Sequence, residues 1–492
     1  MLKLSNVLKN LGSGTAGRFL GALLGVLLAI YMARNWSLDA FGQYSIIFNY
    51  FQLLQQAPLL GLHLLLARDA AARPDDRRSE MVTAGSLGLV MSVPLAIGLG
   101  LIGQFLYPPG LHASFALVGV SLAPTALILV IEMMLIGQER LSFVAFINIL
   151  EGALRLIVFV VMIYLGASLT EVILAFVALR MATLCFYLLD RQTLRLLQPS
   201  AFCRVTLSRF LRQAPILFSM LVLSTAFSRF DVIFLSKLAS HTDVAVYSIA
   251  ARLYDLALIV PGMFMAVLLP ILARLHAESP DAVSYLCRLV LRYGLIVGMP
   301  AAICISFAVP PIIGAVFGEK FAAAGLPVQI LMCATLVMAA GQLMATVLLV
   351  FDLQRFDLPC LTAGCLTLVI GLLLLIPPLG IAGAALAALC GAIAQCVARI
   401  LIIHNKIGHY IRFRDLNGPL LAGVSMVAAM YLSARTPLLV IPIGLAAYVI
   451  VLRLSRSMSS NDINSVKLLL AGNRRMSEGG HAPLAAEDGT VS

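Results

Sequence analysis

The sequence predicts an all-α polytopic membrane protein, and three observations predict it. Of its 492 residues, 61% are hydrophobic and only 12% charged, against roughly 25% charged in a soluble globular protein. Mean hydropathy is +1.00, and the apolar residues gather in runs of the roughly 20 residues that a membrane span needs. The basic residues are segregated to every second break between those runs. Together these features exclude a soluble enzyme, a disordered scaffold and a single-anchor receptor.

Runs bounded by charge, Pro or Gly clusters give about fourteen spans. The first six are 13–34, 40–66, 81–106, 112–137, 143–166 and 169–189. After a basic stretch at 190–212 come 213–237, 243–272, 290–317, 322–351, 358–377, 380–403, 418–433 and 436–453, the last pair being the shortest. The first run is read as a retained span and not a cleaved leader. Arg18 lies inside it, no small-x-small site ends it, and further spans follow at once.

Charge orients the chain. Of 34 Lys/Arg, 26 fall on the side of the N-terminus, the shallow Arg18 included, four (Arg34, Lys237, Lys320, Arg435) on the opposite side, and four deep within spans (Arg155, Arg180, Arg229, Arg252). By the positive-inside rule both termini are expected in the cytoplasm, which requires an even span number. The net charge of +11 is therefore a topology signal, and no nucleic-acid partner is expected. The expected organisation is an N-lobe at 1–189, a basic linker at 190–212, a C-lobe at 213–404, a helix pair within 405–453 and a cytoplasmic tail at 454–492. Phe202, Val205, Leu207, Phe210 and Leu211 among the linker arginines suit an interfacial helix. A short helical pattern at 462–470 precedes an end rich in Gly, Ala and acidic residues.

The chain repeats itself. An offset of 203 aligns Arg34 with Lys237, Tyr44-Ser45-Ile46 with Tyr247-Ser248-Ile249, and Pro58 with Pro261. Leu66-Ala67-Arg68 matches Leu272-Ala273-Arg274 after a three-residue insertion. A unit of six spans starts both halves on the same face. The halves are therefore parallel repeats about a pseudo-two-fold along the membrane normal, an arrangement used by alternating-access carriers.

Ionisable residues at bilayer depth are costly and line a cavity or pair with one another. At 1.5 Å per residue, Arg155 lies about 18 Å into its span and Arg180 about 15 Å into the next. Arg229 and Arg252 lie about 12 and 13 Å from the other face. Arg18 is shallower. Spacing pairs Glu151 with Arg155 (i,i+4) and Arg252 with Asp255 (i,i+3) on single helices. Asp231 points away from Arg229 and needs a partner on another helix, while Glu132 and Arg180 have none nearby in sequence. Arg18, Arg155, Arg180, Arg229 and Arg252 are the candidate anion-binding residues, because a guanidinium donates in a planar fork and stays charged. The alternative at each is a pair that only locks the bundle. Asp231, Asp255 and Glu132 are candidates for coupling to H+ or Na+. Arg34, Arg68 and Lys237 sit at span ends, where snorkelling anchors are usual. His63 is read as structural.

Soluble-enzyme motifs are missing. Gly12-Ser-Gly-Thr-Ala-Gly17 matches GxGxxG, but no strand precedes it and no acidic ribose ligand follows; its small residues suit close helix packing. There is no Walker A sequence and no catalytic constellation. The nine cysteines form no CxxC or CxH spacing, so no metal or other cofactor is expected.

Residues 33–71 (ARNWSLDAFGQYSIIFNYFQLLQQAPLLGLHLLLARDAA) and 228–275 resemble paired signatures of the polysaccharide transporter family. Residues 317–332 and 376–395 are similar to its outer loop and Gly-rich turn, so the resemblance runs over roughly 5–410. It implies the multidrug/oligosaccharidyl-lipid/polysaccharide (MOP) superfamily, with two six-helix lobes around a central cavity. It further implies a flippase carrying undecaprenyl-pyrophosphate-linked oligosaccharide from the cytoplasmic to the periplasmic leaflet of a bacterial inner membrane. A polysaccharide polymerase or co-polymerase and membrane lipids are then the expected partners. Two departures keep other readings open. Spans thirteen and fourteen exceed the twelve usual for oligosaccharide flippases and match the lipid II flippases, although the arginine cluster of those proteins in spans one and two is not clearly reproduced. A multidrug cation antiporter would rely on acidic sites. A non-transporting scaffold of a synthesis complex would use the basic linker and tail.

Overall fold

A computed structural model describes residues 4–196, 202–278, 280–408, 416–433 and 439–455. Among these residues the chain is helical throughout, with no strand. Nine helical stretches are long and apolar enough to cross a membrane, and three shorter apolar helices accompany them.

The helices follow the hydropathy runs. The first repeat holds α1 (Leu4–Asn35), α2 (Leu38–Leu54), α3 (His63–Ala72), α4 (Arg77–Leu106), α5 (Pro109–Val120), α6 (Leu122–Gly137), α7 (Leu141–Tyr164) and α8 (Leu169–Leu188). A short α9 (Arg191–Leu196) follows. The second repeat holds α10 (Arg204–Leu238), α11 (His241–Glu278), α12 (Pro280–Phe317), α13 (Gly325–Val350) and α14 (Asp357–Lys406). Last come α15 (Asn417–Leu432) and α16 (Val440–Leu454). The α2–α3 pair makes one crossing, the α5–α6 pair another, and α14 makes two, so the described residues hold fourteen crossings.

α14 is double because it folds back on itself. Gly380 sits at φ 56°, ψ −130°, a backbone that suits a residue without Cβ. Pro377 and Pro378 precede it. The two arms then pack closely: a Cβ on Gly371 would lie 2.9 Å from the Ala387 Cβ, and one on Gly364 2.8 Å from the Gln395 Cβ.

The second crossing is broken where its repeat counterpart is not. A 3-10 turn at Ala57–Leu59 leads into Leu60 and Gly61, both at positive φ, before α3 starts. A Cβ on Gly61 would lie 2.6 Å from the Leu217 carbonyl of α10, so the break lets the backbone approach that helix. Pro261, the repeat partner of Pro58, lies inside the continuous α11. Elsewhere the ends are set by ordinary local chemistry. Ser168 and Glu171 form a capping box at the start of α8, and Ser37 caps α2 by accepting from the Ala40 amide at 3.1 Å.

Contacts follow the repeat. α1 packs on α7 as α10 packs on α14, and α3 packs on α6 as α11 packs on α13. Gly17, in the sequence that mimics a dinucleotide motif, lies against Ala145 of α7, the close packing expected of it. Across the repeats α2 meets both α10 and α11, and α1 meets α11.

Residues 204–212, the end of the basic stretch, are the first turns of the 35-residue α10. They are tied to the start of α4. The Cys203 amide donates to Thr83 Oγ1 at 3.3 Å, Ser79 Oγ and Thr206 Oγ1 lie 3.1 Å apart, and Arg209 pairs with the buried Glu80. The short helix expected at 462–470 lies outside the described residues.

By contacts the chain divides into two compact units. The larger contains residues 1–280 and 304–408, and every residue of the candidate site belongs to it. The smaller contains 281–303 of α12 together with α15 and α16. Within the smaller unit, Gly423 lies against Met299 and Gly444 against Met430, and the Tyr448 hydroxyl donates to the Ile296 carbonyl at 3.0 Å.

Candidate binding site

The mid-depth charges sort by partner, and the sorting differs from what local spacing predicts. In the first repeat Arg180 of α8 donates Nη1 to Glu151 Oε2 of α7 at 3.0 Å. Its guanidinium lies 5.7 and 5.5 Å from the ring centroids of Phe51 and Phe176, a cation–π setting. Glu151 therefore pairs across helices and not with Arg155 one turn along. In the second repeat Arg229 of α10 donates Nη1 to Asp255 Oδ2 of α11 at 2.9 Å, which corrects the expected Arg252–Asp255 pair in the same way. An interhelical partner within 3 Å displaces an i,i+4 neighbour because neither side chain must bend along its own helix surface.

The two other acids are held by tyrosines. Glu132 of α6 accepts from the Tyr187 hydroxyl of α8 at 3.0 Å, with Asn148 of α7 within reach. Asp231 finds its interhelical partner in Tyr247 of α11, whose hydroxyl donates at 2.7 Å, and also accepts from the Val232 amide at 2.8 Å. Neither acid forms an ion pair among the described residues.

That leaves two mid-depth arginines outside any ion pair among the described residues, although Asp255 lies within electrostatic range of Arg252. Arg252 of α11 reaches across to the first repeat: its guanidinium lies 5.7 Å from the Phe41 centroid and 6.0 Å from that of Tyr44 on α2, and 3.5 Å from the Gly25 carbonyl of α1. Arg155, half-buried on α7, makes no hydrogen bond or ion pair among the described residues. It lies within electrostatic range of both Arg180 and Arg252. Arg155, Arg180 and Arg252 thus form one cationic cluster where α7, α8, α1, α2 and α11 converge. Arg229 stands apart, locked to Asp255. The side chain of Arg18 lies outside the described residues.

Three clustered guanidinium groups at bilayer depth with only one ion pair among them, Arg180–Glu151, carry a standing cost, because like charges repel strongly at low effective dielectric. An anion placed between Arg155 and Arg252 removes it. The aromatic faces of Phe41 and Tyr44 hold Arg252 in place without neutralising it, which keeps its donors available.

Several residues here were not singled out by sequence reasoning. Tyr187 and the aromatics around Arg180 and Arg252 carry no motif. Tyr247 lies inside the repeat signature, but only its contact with Asp231 marks it. Arg399, within the run 380–403, is 5% exposed and donates Nε to Asp357 Oδ1 at 2.7 Å and Nη1 to the Gly341 carbonyl at 3.1 Å. It joins the ends of the two α14 arms to α13. His63 has its Nδ1 buried without a partner. No group of His, Cys, Asp or Glu able to hold a metal occurs among the described residues.

With this geometry the kinship is clear. Residues 7–276, more than half the chain, match the family described as "Polysaccharide biosynthesis protein", and the chain belongs to that family. Its fold is that of the MOP superfamily transporters. A structure of the lipid II flippase MurJ in an inward closed conformation superposes with TM-score 0.71 at 13% identity, over 89% of this chain and 97% of that one. An outward-facing multidrug resistance MATE transporter gives TM-score 0.59 at 15% identity, over 82% and 96%. A MOP superfamily transporter from Pyrococcus furiosus, noted for the reversed polarity of its binding pocket, gives 0.60 at 14% identity, over 82% and 96%. No curated protein matches the chain by sequence.

Proposed function

We propose that this protein is an inner-membrane flippase that carries a polyprenyl-pyrophosphate-linked oligosaccharide between leaflets by alternating access. The observation that carries this reading is the pair of arginines outside any ion pair among the described residues, Arg155 and Arg252, set between the two repeats beside Arg180. A pyrophosphate offers several acceptor oxygens and matches bidentate guanidinium donors. The polyprenyl tail stays in lipid, and the site holds only the headgroup linkage. Both termini lie in the cytoplasm, as the segregation of basic residues implies.

Net movement in one direction needs differential affinity on the two faces or coupling to an ion gradient. Glu132 and Asp231, held by tyrosine hydroxyls and not by cations, are the candidates to take up H+ or Na+. Asp255 is committed to Arg229 and is the weaker of the three. Family membership supports a polysaccharide precursor as cargo. Lipid II is the second reading, favoured by the TM-score of 0.71 with MurJ and by the extra pair α15–α16. Both cargoes carry a polyprenyl pyrophosphate, so the arginines serve either, and headgroup competition separates them. A cationic drug is disfavoured by the same cluster. The test is flipping of a fluorescent polyprenyl-pyrophosphate oligosaccharide in proteoliposomes, with lipid II as competitor and with or without a proton or sodium gradient.

A further inference from the structure

Arg34 and Lys237 are repeat partners at the offset of 203, and each is the basic residue in the last turn of its helix. Both leave their own repeat. Arg34, ending α1, donates Nε to the Val316 carbonyl at 2.8 Å and Nη2 to the Ala315 carbonyl at 2.5 Å, in the last turn of α12. Lys237, ending α10, donates Nζ to the Leu106 carbonyl at the last residue of α4 and sits 3.2 Å above the Tyr107 ring centroid. α4 is the third crossing of the first repeat and α12 the third crossing of the second. The two contacts are therefore one contact, made twice by the pseudo-two-fold.

The chemistry suits a clasp. Carbonyls in the last turn of a helix have no intrahelical donor and carry the negative end of its dipole. A cation from the opposite repeat satisfies them, which a snorkelling anchor would not do. The face on which α1 ends is sealed between these clasps by α2 and α11. A Cβ on Gly42 of α2 would collide with the His241 carbonyl at the start of α11, and His241 Nδ1 lies 3.1 Å from Asp39 Oδ1. Ser240 caps α11 as Ser37 caps α2, again at the offset of 203, by accepting from the Asp243 amide at 3.1 Å. Lys320 adds a contact without a repeat counterpart, donating to the Trp36 carbonyl at 2.6 Å.

We propose that Arg34 and Lys237 are paired latches that hold this face of the transporter closed and release together when it opens. Each bridges the two repeats through backbone carbonyls at a helix end, so neither bond can persist once the repeats part. Both cations are exposed, so on release water takes over each donor and each carbonyl at modest cost. That is the property a gate needs if it is to open on every cycle.

The latch does not depend on the identity of the cargo, and its test uses none. Spin labels at Asn35 and Glu319, exposed positions beside the Arg34 clasp, are introduced as noncanonical residues in the full chain, so the nine native cysteines remain. Distances are measured by pulsed electron resonance in lipid nanodiscs. The short, closed distance should dominate in the otherwise unchanged protein. Arg34→Gln or Lys237→Gln alone should raise the open-to-closed ratio about tenfold and the double variant about a hundredfold, in line with loss of one or two charge-assisted hydrogen bonds. The cation-preserving Arg34→Lys/Lys237→Arg variant should stay near the starting distribution. An unchanged distribution in a folded double variant overturns the proposal. So does an equal shift in the cation-preserving variant, or a single variant that already gives the full shift. If the double variant does not fold, the two single variants decide by the same criterion. Failure of cargo flipping leaves these distances untouched, so the two readings fail separately.

Discussion

Replacing Arg155 with glutamine should weaken cargo binding while leaving the empty protein as stable as before or more so. Arg155 makes no hydrogen bond or ion pair among the described residues, yet it lies within electrostatic range of Arg180 and Arg252. Two like unit charges within such range at an effective dielectric of about 20 repel by at most roughly 2 kcal/mol. Solvent screening at a half-buried side chain reduces this to about 1 kcal/mol. Arg155→Gln removes that repulsion, so the thermal unfolding midpoint in detergent should hold or rise. It also removes one charge-assisted contact to the pyrophosphate, about 1.5–3 kcal/mol, or a 10- to 100-fold weaker Kd for a polyprenyl pyrophosphate headgroup. Arg180→Gln is the contrast. It leaves Glu151, only 9% exposed at its side chain, without its cation, which costs about 3–5 kcal/mol and should lower the midpoint sharply. The assays are thermal unfolding and headgroup binding on the same preparations. The reasoning is refuted if Arg155→Gln destabilises the protein as much as Arg180→Gln while headgroup binding is unchanged.

Three further outcomes follow from the same geometry. Asp231→Asn keeps the acceptor for Tyr247 but removes a titratable group, so flipping should lose its dependence on an imposed gradient by tenfold or more while headgroup Kd stays put; proteoliposome flipping at several gradients reads this. Asp190, outside the spans, is held below the usual carboxylate range chiefly by its hydrogen bond from Arg140, so its stabilisation is full above the unfolded value of about 3.9 and is lost as pH falls through the lowered folded value. Asp190→Asn should therefore reduce stability by about 1 kcal/mol at pH 7 and by progressively less below about pH 4, measured as the difference in unfolding midpoint. Gly380→Ala places a Cβ on a backbone at φ 56°, ψ −130° that glycine alone adopts readily and should cost about 1–3 kcal/mol, read in the same unfolding assay.

The crossings were legible because hydropathy and the spacing of breaks report directly on what lipid will tolerate. The hairpin in α14 was legible from Pro377, Pro378 and the following glycines, and the repeat from identities at a fixed offset. The pairing of charges was not. Local spacing ties Glu151 to Arg155 and Asp255 to Arg252, whereas the bundle supplies Arg180 and Arg229 from neighbouring helices at 3 Å or less. Such partners depend on helix rotation, which an unaligned sequence does not carry. Arg34 and Lys237 read as snorkelling anchors for the same reason, since their acceptors are backbone carbonyls about 280 and 130 residues away with no side-chain signature. Arg399 carries no local sign of its partner, because Asp357 lies 42 residues away at the far end of the folded-back α14. The candidate site was thus visible as a set of residues but not as an arrangement. The arrangement is what separates Arg155 and Arg252, outside any ion pair among the described residues, from Arg180 and Arg229, each paired with a carboxylate.

The most direct measurement is flipping of a fluorescent polyprenyl-pyrophosphate oligosaccharide by the full-length protein in proteoliposomes, with Arg155→Gln/Arg252→Gln beside it. Gradient-stimulated flipping is expected of the unchanged protein and none above background of the double variant, although that variant inserts and folds. Flipping by the folded double variant at the unchanged protein's rate would contradict the account, as would no flipping by the unchanged protein of either oligosaccharide-linked or lipid II cargo.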